Sequence, residues 1–144
     1  MIFPILDHTK EAPVLEKPVP CLFLRLDFSD GRRLGPGKIA VLEAVRAHGS
    51  MLAAAKAIGM SYRRAWLLMD ELDRMFEEKV VVTYPGRRGH GTELTPFGER
   101  LIALYRAMER QATKATQTAA LELNDALARD FVRAVAQEEE DEAG

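Results

Sequence analysis

Gly49-Ser50-Met51-Leu52-Ala53-Ala54-Ala55-Lys56-Ala57-Ile58-Gly59-Met60-Ser61-Tyr62-Arg63-Arg64-Ala65-Trp66 is the stretch on which the fold turns. Ser50 stands where an N-cap is wanted, its hydroxyl ready to accept from an unpaired amide of a helix that starts at Met51. Met51, Ala54, Ala55 and Ile58 then share one helical face. Gly59 breaks the helix, Met60 plugs the corner, and Ser61 caps the next helix, which the spacing carries to about Phe76. Two short helices joined by a tight glycine-containing turn are the pattern of a helix-turn-helix. Ala54 and Ala55 suit it, because larger side chains there would force the two helices apart.

Upstream, Lys38 to His48 sets Ile39, Leu42 and Val45 at three-residue steps and closes on Gly49, which predicts a short amphipathic helix. Before it, Cys21 to Phe28 alternates, with Leu22, Leu24, Leu26 and Phe28 on one side, and predicts a half-buried strand ended by Ser29-Asp30-Gly31. Residues 1–20 hold four prolines and no periodicity, and read as an extended arm. Downstream, Lys79 to Tyr84 is a β-branched strand, Pro85 to Thr92 a glycine-rich basic tip, and Glu93-Leu94 the return, so a hairpin follows directly on the second helix of the pair. Thr95-Pro96 supplies the N-cap and first residue of a last helix. Phe97, Leu101, Leu104, Tyr105, Met108, Ala112 and Ala115 keep helical period, and Leu123, Leu127, Phe131 and Val135 continue it, with a bend expected near Thr113, Thr116 and Thr118. The expected fold class is therefore mainly α with a small β wing: an arm over 1–20, a winged helix-turn-helix over 21–95, a long dimerisation helix or helix pair over 96–136, and an acidic disordered tail over 137–144. A helix that long cannot bury its apolar stripe on so small a head, and a second chain is its natural cover.

A formal charge of −2 hides an uneven distribution. Residues 20–114 hold 16 Lys/Arg against 11 Asp/Glu, while the two ends hold 4 against 11. Much of the acidic excess is the run Glu138 to Glu142. The middle thus has the basic bias that phosphate binding requires.

At about 100° per residue, Ala65, Leu68, Met69, Leu72 and Phe76 fall on one face of the helix after Ser61 and should pack inward, with Trp66 flanking them as a packing residue. Arg63, Leu67, Asp70 and Arg74 face away, Arg64 lies to one side, and Asp70 and Arg74 are one turn apart and suited to pair. In a helix-turn-helix the first turns of the second helix reach base edges in the major groove. Tyr62, Arg63, Arg64 and Leu67 are the candidates: arginine for a bidentate contact to guanine, leucine for a thymine methyl. Ser50 and Ser61, at helix N-termini, offer phosphate donors. Isolated arginines on a helix ordinarily do no more than meet water. The neighbouring hairpin changes the reading, because Arg87, Arg88, His90 and Thr92 sit among glycines with almost nothing apolar to bury.

Other function classes find little support. Gly35-Pro36-Gly37-Lys38 lacks the spacing and the following Ser/Thr of a phosphate loop. His8, His48 and His90 fall in three different elements without ligand spacing, so no metal site is expected. Asp70, Glu71 and Asp73 read as helix-surface charges, no acid, base or nucleophile set converges, and no catalytic residue is expected. A single cysteine, Cys21, forms no internal disulfide and suits a reducing compartment. No apolar run reaches the ~20 residues of a membrane span, and the N-terminus has no basic n-region of a secretory signal.

Gly49-Ser50-Met51 through Ala54-Ala55-Lys56, then Gly59-Met60-Ser61-Tyr62-Arg63-Arg64-Ala65-Trp66, resemble the DNA-binding domain of ModE-type molybdate-responsive regulators. Leu94-Thr95 and Phe97-Gly98-Glu99-Arg100-Leu101-Ile102-Ala103-Leu104-Tyr105 extend the likeness, which covers about residues 20–112. LysR-type regulators share the wider winged helix-turn-helix pattern. The resemblance implies a cytoplasmic homodimer held by terminal helices, with recognition helices and wings on a palindromic double-stranded DNA operator of molybdenum-transport or molybdoenzyme genes. Members of that family continue into small β-barrel domains that bind molybdate. Here an acidic tail follows, nothing offers an oxyanion cage, and neither molybdate binding nor any cofactor is expected. The competing expectation is a winged-helix protein-interaction module whose basic tip meets an acidic partner, with no specific DNA site.

Overall fold

Gly35 precedes a proline at the first position of the first helix, and Gly49 ends that helix by donating its backbone N–H to the Val45 carbonyl at 2.8 Å. The computed structural model describes residues 18–87 and 91–134. A small hairpin of β1 (Leu26–Asp27) and β2 (Arg33–Leu34) leads into this helix, α1 (Pro36–His48). The chain continues through α2 (Met51–Ala57), α3 (Tyr62–Met75), a second hairpin of β3 (Val81–Thr83) and β4 (Thr92–Leu94), and α4 (Pro96–Asp125). The protein is mainly α, with a small β wing and a long C-terminal helix.

Both serine caps form as the sequence predicts. Ser50 Oγ accepts from the Ala53 N–H and Ser61 Oγ from the Arg64 N–H, each at 3.1 Å. Between them the chain reverses at Gly59, whose φ of 68° lies in the left-handed region that a Cβ disfavours. The Gly59 and Met60 amides donate back to the Lys56 and Ala55 carbonyls, so the turn closes on the helix it ends. Ala54, Ala55 and Ala65 are fully buried where α1, α2 and α3 meet, and Ile39, Leu42, Val45 and Leu72 fill the space around them. Met69 and Met75 are buried too, while Leu68 and Phe76 pack partly against the core.

The wing's place is fixed by α3 and α4 together. Asp73 Oδ1 accepts from the Val80 N–H at 2.8 Å, Thr95 N donates to the Val80 carbonyl at 2.9 Å, and Thr95 Oγ1 donates to the Lys79 carbonyl at 2.6 Å. Asp73 is thus more than the surface charge expected of it. Gly98, in the first turn of α4, sits so close to the Val80 carbonyl that a Cβ would collide with backbone. Strand register is Val81 with Leu94, Val82 with Glu93 and Thr83 with Thr92.

Three expectations need correction. The strand foreseen over Cys21–Phe28 shrinks to Leu26–Asp27, because α1 begins at Pro36 and leaves only Arg33–Leu34 to pair with it. Leu24 packs partly on the core, but Leu22, Leu26 and Phe28 stay exposed. The terminal helix ends at Asp125 instead of continuing to 136: the Ala126 and Leu127 amides turn to carbonyls three residues back, and the poor helix formers Asn124 and Asp125 stand at that end. The helix runs unbroken through Thr113, Thr116 and Thr118, with Thr116 Oγ1 donating to the Ala112 carbonyl at 2.8 Å. The proline arm before residue 18 and the acidic tail lie outside the described residues.

Candidate nucleic-acid interface

Lys38 disposes first of the phosphate-loop fragment. It is 6% exposed, donates to the Arg33 carbonyl at 2.8 Å and pairs with Glu71 at 3.5 Å, so its charge is spent inside the fold.

The first two turns of α3 form the opposite of a packed surface. Arg63 is exposed, Tyr62 is 50% exposed and Leu67 46% exposed, all on turns anchored from beneath by Ala65 and Met69. Arg64 is half-buried to one side. Asp70 and Arg74 pair at 3.0 Å across one turn, as their spacing implies, and so cancel each other's charge further along the helix. Ser50 and Ser61 spend their Oγ lone pairs on capping, which leaves each hydroxyl hydrogen free to donate outward. Trp66 departs from expectation. Instead of packing, it is 47% exposed at the edge of the same face.

The wing that follows α3 turns at Pro85-Gly86, where the Arg87 N–H donates to the Tyr84 carbonyl at 3.4 Å. The Arg87 guanidinium lies 4.1 Å from the centroid of the Tyr84 ring and 3.4 Å from a Glu93 carboxylate oxygen. That side chain remains half-exposed but is held in place by a cation–π contact that residue spacing alone does not reveal. Arg88 and His90 lie outside the described residues. Thr92 points inward. It is 8% exposed, and its N–H donates to the Gly49 carbonyl at 3.0 Å, so it is a joint between the wing and the α1–α2 junction and presents no surface of its own.

The root of α4 is locked to this head. Arg106 grips Glu43 of α1 through two bonds, at 2.9 and 2.5 Å, and reaches Glu109 on its own helix at 2.5 Å. The Arg106 hydrogen bond holds the Glu43 carboxyl below its ordinary value. Tyr105, buried, donates its hydroxyl to the Leu24 carbonyl at 2.6 Å, and burial pushes its phenol up. Arg46 meets Glu99 at 3.0 Å. The ties to Glu43, Leu24 and Glu99 cross 53 to 81 residues of the chain, and no local pattern announces them. Beyond residue 112 most of α4 is exposed, including Leu121 and Leu123. Among the described residues no group of three or more His, Cys, Asp or Glu could hold a metal ion, and no helix is long and apolar enough to cross a membrane.

No family model matches the chain. Curated proteins do. It is 36% identical over 109 residues, 75% of its own length, to the molybdenum transport protein ModE of Azotobacter vinelandii, of which this covers 40%. It is 40% identical over 85 residues to the molybdenum-pterin-binding protein MopB of Rhodobacter capsulatus, covering 58% of this chain and 32% of that one. It is 35% identical over 98 residues to the DNA-binding transcriptional dual regulator ModE of Escherichia coli (strain K12), covering 65% and 37%. The chain spans about two fifths or less of the length of these relatives. By alignment as well as by its own residues, the chain is similar to the ModE-type regulators over part of their length.

Proposed function

We propose that the chain is a sequence-specific DNA-binding transcriptional regulator, a winged helix-turn-helix that acts in the cytoplasm as a homodimer on a palindromic operator of molybdenum-transport or molybdoenzyme genes. One observation carries this reading: the first turns of α3 leave Tyr62, Arg63 and Leu67 exposed, and the hairpin that follows α3 in the chain leaves Arg87 half-exposed. A helix presented this way can insert its N-terminal turns into the major groove, where Arg63 reads a guanine edge and Leu67 a thymine methyl. Arg64, with the hydroxyls of Ser50 and Ser61, steadies the backbone on either side, while Arg87, Arg88 and His90 meet phosphates beyond the groove. The exposed stripe of α4, with Leu121 and Leu123, gives a second copy its surface. A two-fold pair then places its recognition helices about one DNA turn (~34 Å) apart, or a multiple of it. The names of the relatives, which are molybdenum proteins and transcriptional regulators, support the choice of genes.

Selection of fragmented genomic DNA on the full chain, followed by sequencing, tests the reading. An enriched palindrome upstream of molybdenum genes is the expected result. Recovery of no enriched site would sink it and favour a winged-helix protein-interaction module whose basic tip meets an acidic partner.

A further inference from the structure

Trp66, like Tyr62 one turn before it, neither enters the core nor faces straight outward from α3. Its chain neighbour Ala65 and its next-turn neighbour Met69 are both buried, yet nearly half the indole meets solvent. Tryptophan is rarely buried whole, but on average it is highly buried, and a ring left half in solvent gives up much of the area that packing exploits. At about 100° per residue, Tyr62 and Trp66 line one rim of the helix, between the inward arc of Ala65, Met69 and Leu72 and the outward arc of Arg63 and Leu67. The opposite rim carries Glu71, which pairs with the buried Lys38. On the Trp66 side the acids are engaged: Asp70 by Arg74, Asp73 by Lys79 at 3.1 Å and by the Val80 amide. Trp66 makes no hydrogen bond among the described residues, so its indole N–H, a donor with no acceptor capacity, is open to an outside acceptor.

We infer that Trp66 is a DNA-backbone contact, deepening the DNA-binding reading on which it rests. With α3 in the major groove, the rim lies against one lip of the groove. The indole face covers sugar carbons, the indole N–H donates to a phosphate oxygen, and Tyr62, one turn nearer the helix start, extends the same ledge. Such a contact fixes how deep and at what angle the helix sits, and carries no base information.

The protein holds a single tryptophan, so its intrinsic emission reports this residue alone. The full chain is titrated with a duplex recovered by selection from random-sequence DNA, and Trp66→Phe is compared with wild type on that duplex and on single-base variants of it. Tm and far-UV circular dichroism check that the variant folds. The expected result is an emission change that saturates with binding, together with a roughly fivefold weakening of affinity in Trp66→Phe, the worth of one hydrogen bond, equal on every duplex. Unchanged affinity in Trp66→Phe, or an emission that binding does not move, would overturn the contact while leaving the regulator reading intact. A weakening confined to one base position would overturn the backbone assignment. If wild type shows no site preference at all, the regulator reading fails and the contact with it.

Discussion

Arg106 on α4 and Glu43 on α1 meet through paired hydrogen bonds, a fork-to-carboxylate clasp that fastens the long helix to the three-helix head. Arg106 also holds Glu109, so the guanidinium is shared between two carboxylates and its own pKa is raised further above its usual range.

The clasp makes stability depend on acid. The Glu43 carboxyl titrates below its ordinary value of 4.5 when folded, chiefly because Arg106 hydrogen-bonds to it. The folded protein therefore holds fewer protons there than the unfolded chain. Its contribution is complete above about the ordinary carboxylate value and disappears as pH falls through the lower, folded value. Urea midpoints of wild type and Glu43→Gln should differ at pH 7 and converge as the solution is acidified. Partial exposure keeps the gap modest. A gap that did not narrow in acid would refute the assignment.

Gly98→Ala should destabilise the protein by about 1–3 kcal/mol, the range for forcing an extra carbon into a packed site. The obstacle is the Val80 backbone carbonyl, which cannot swing away as a side chain would, and Val80 is itself held by Asp73 and Thr95. Chemical denaturation measures the difference, and an unchanged midpoint would mean that α4 is not seated so tightly on β3.

Arg63→Ala should cost about 1–3 kcal/mol at one base position and relax preference there, as removal of a bidentate pairing to a base edge does. Binding to a panel of single-base operator variants reads this out directly. Unchanged affinity and preference would remove α3 from the groove.

Replacing Arg87 and Arg88 together by Ala should weaken binding evenly across sequences and flatten the dependence of log affinity on log salt, by about one unit for each phosphate no longer neutralised. Arg87 alone should have the smaller effect on folding, since its clasp on Tyr84 and Glu93 lies at the surface. A salt slope identical to wild type would mean that the wing stays clear of phosphate.

Local chemistry explains what is legible in the sequence. Ser50, Ser61, Thr95-Pro96, Gly49 and Gly59 each act within a turn of their own position, and the helix ends they set are where the sequence puts them. The inward set Ala65, Met69 and Leu72 follows from helical period alone. What eludes the sequence depends on partners distant in the chain. Cys21–Phe28 alternates well enough for a longer strand, but a strand needs a neighbour, and α1 starts too soon to provide one. Thr92 belongs by sequence to a basic tip, yet Gly49 claims its amide. Trp66 has an apolar side chain near an apolar face, and periodicity cannot say that the neighbouring helices stop short of covering it. Leu127 and Phe131 keep the period of α4 after its backbone has given up the helix, which shows that spacing marks a face without guaranteeing the element that bears it.

The free span of α4 makes chain length a mechanical variable. Each residue inserted past Gln111 would advance the tip by about 1.5 Å and swing it by about 100°. One added residue would aim whatever the tip carries in a different direction, whereas seven would return it to within about 20° of its old heading, only farther out. Reach and bearing are thus set by counting residues in a segment that touches little of the head, so both can drift in steps while the fold beneath stays whole.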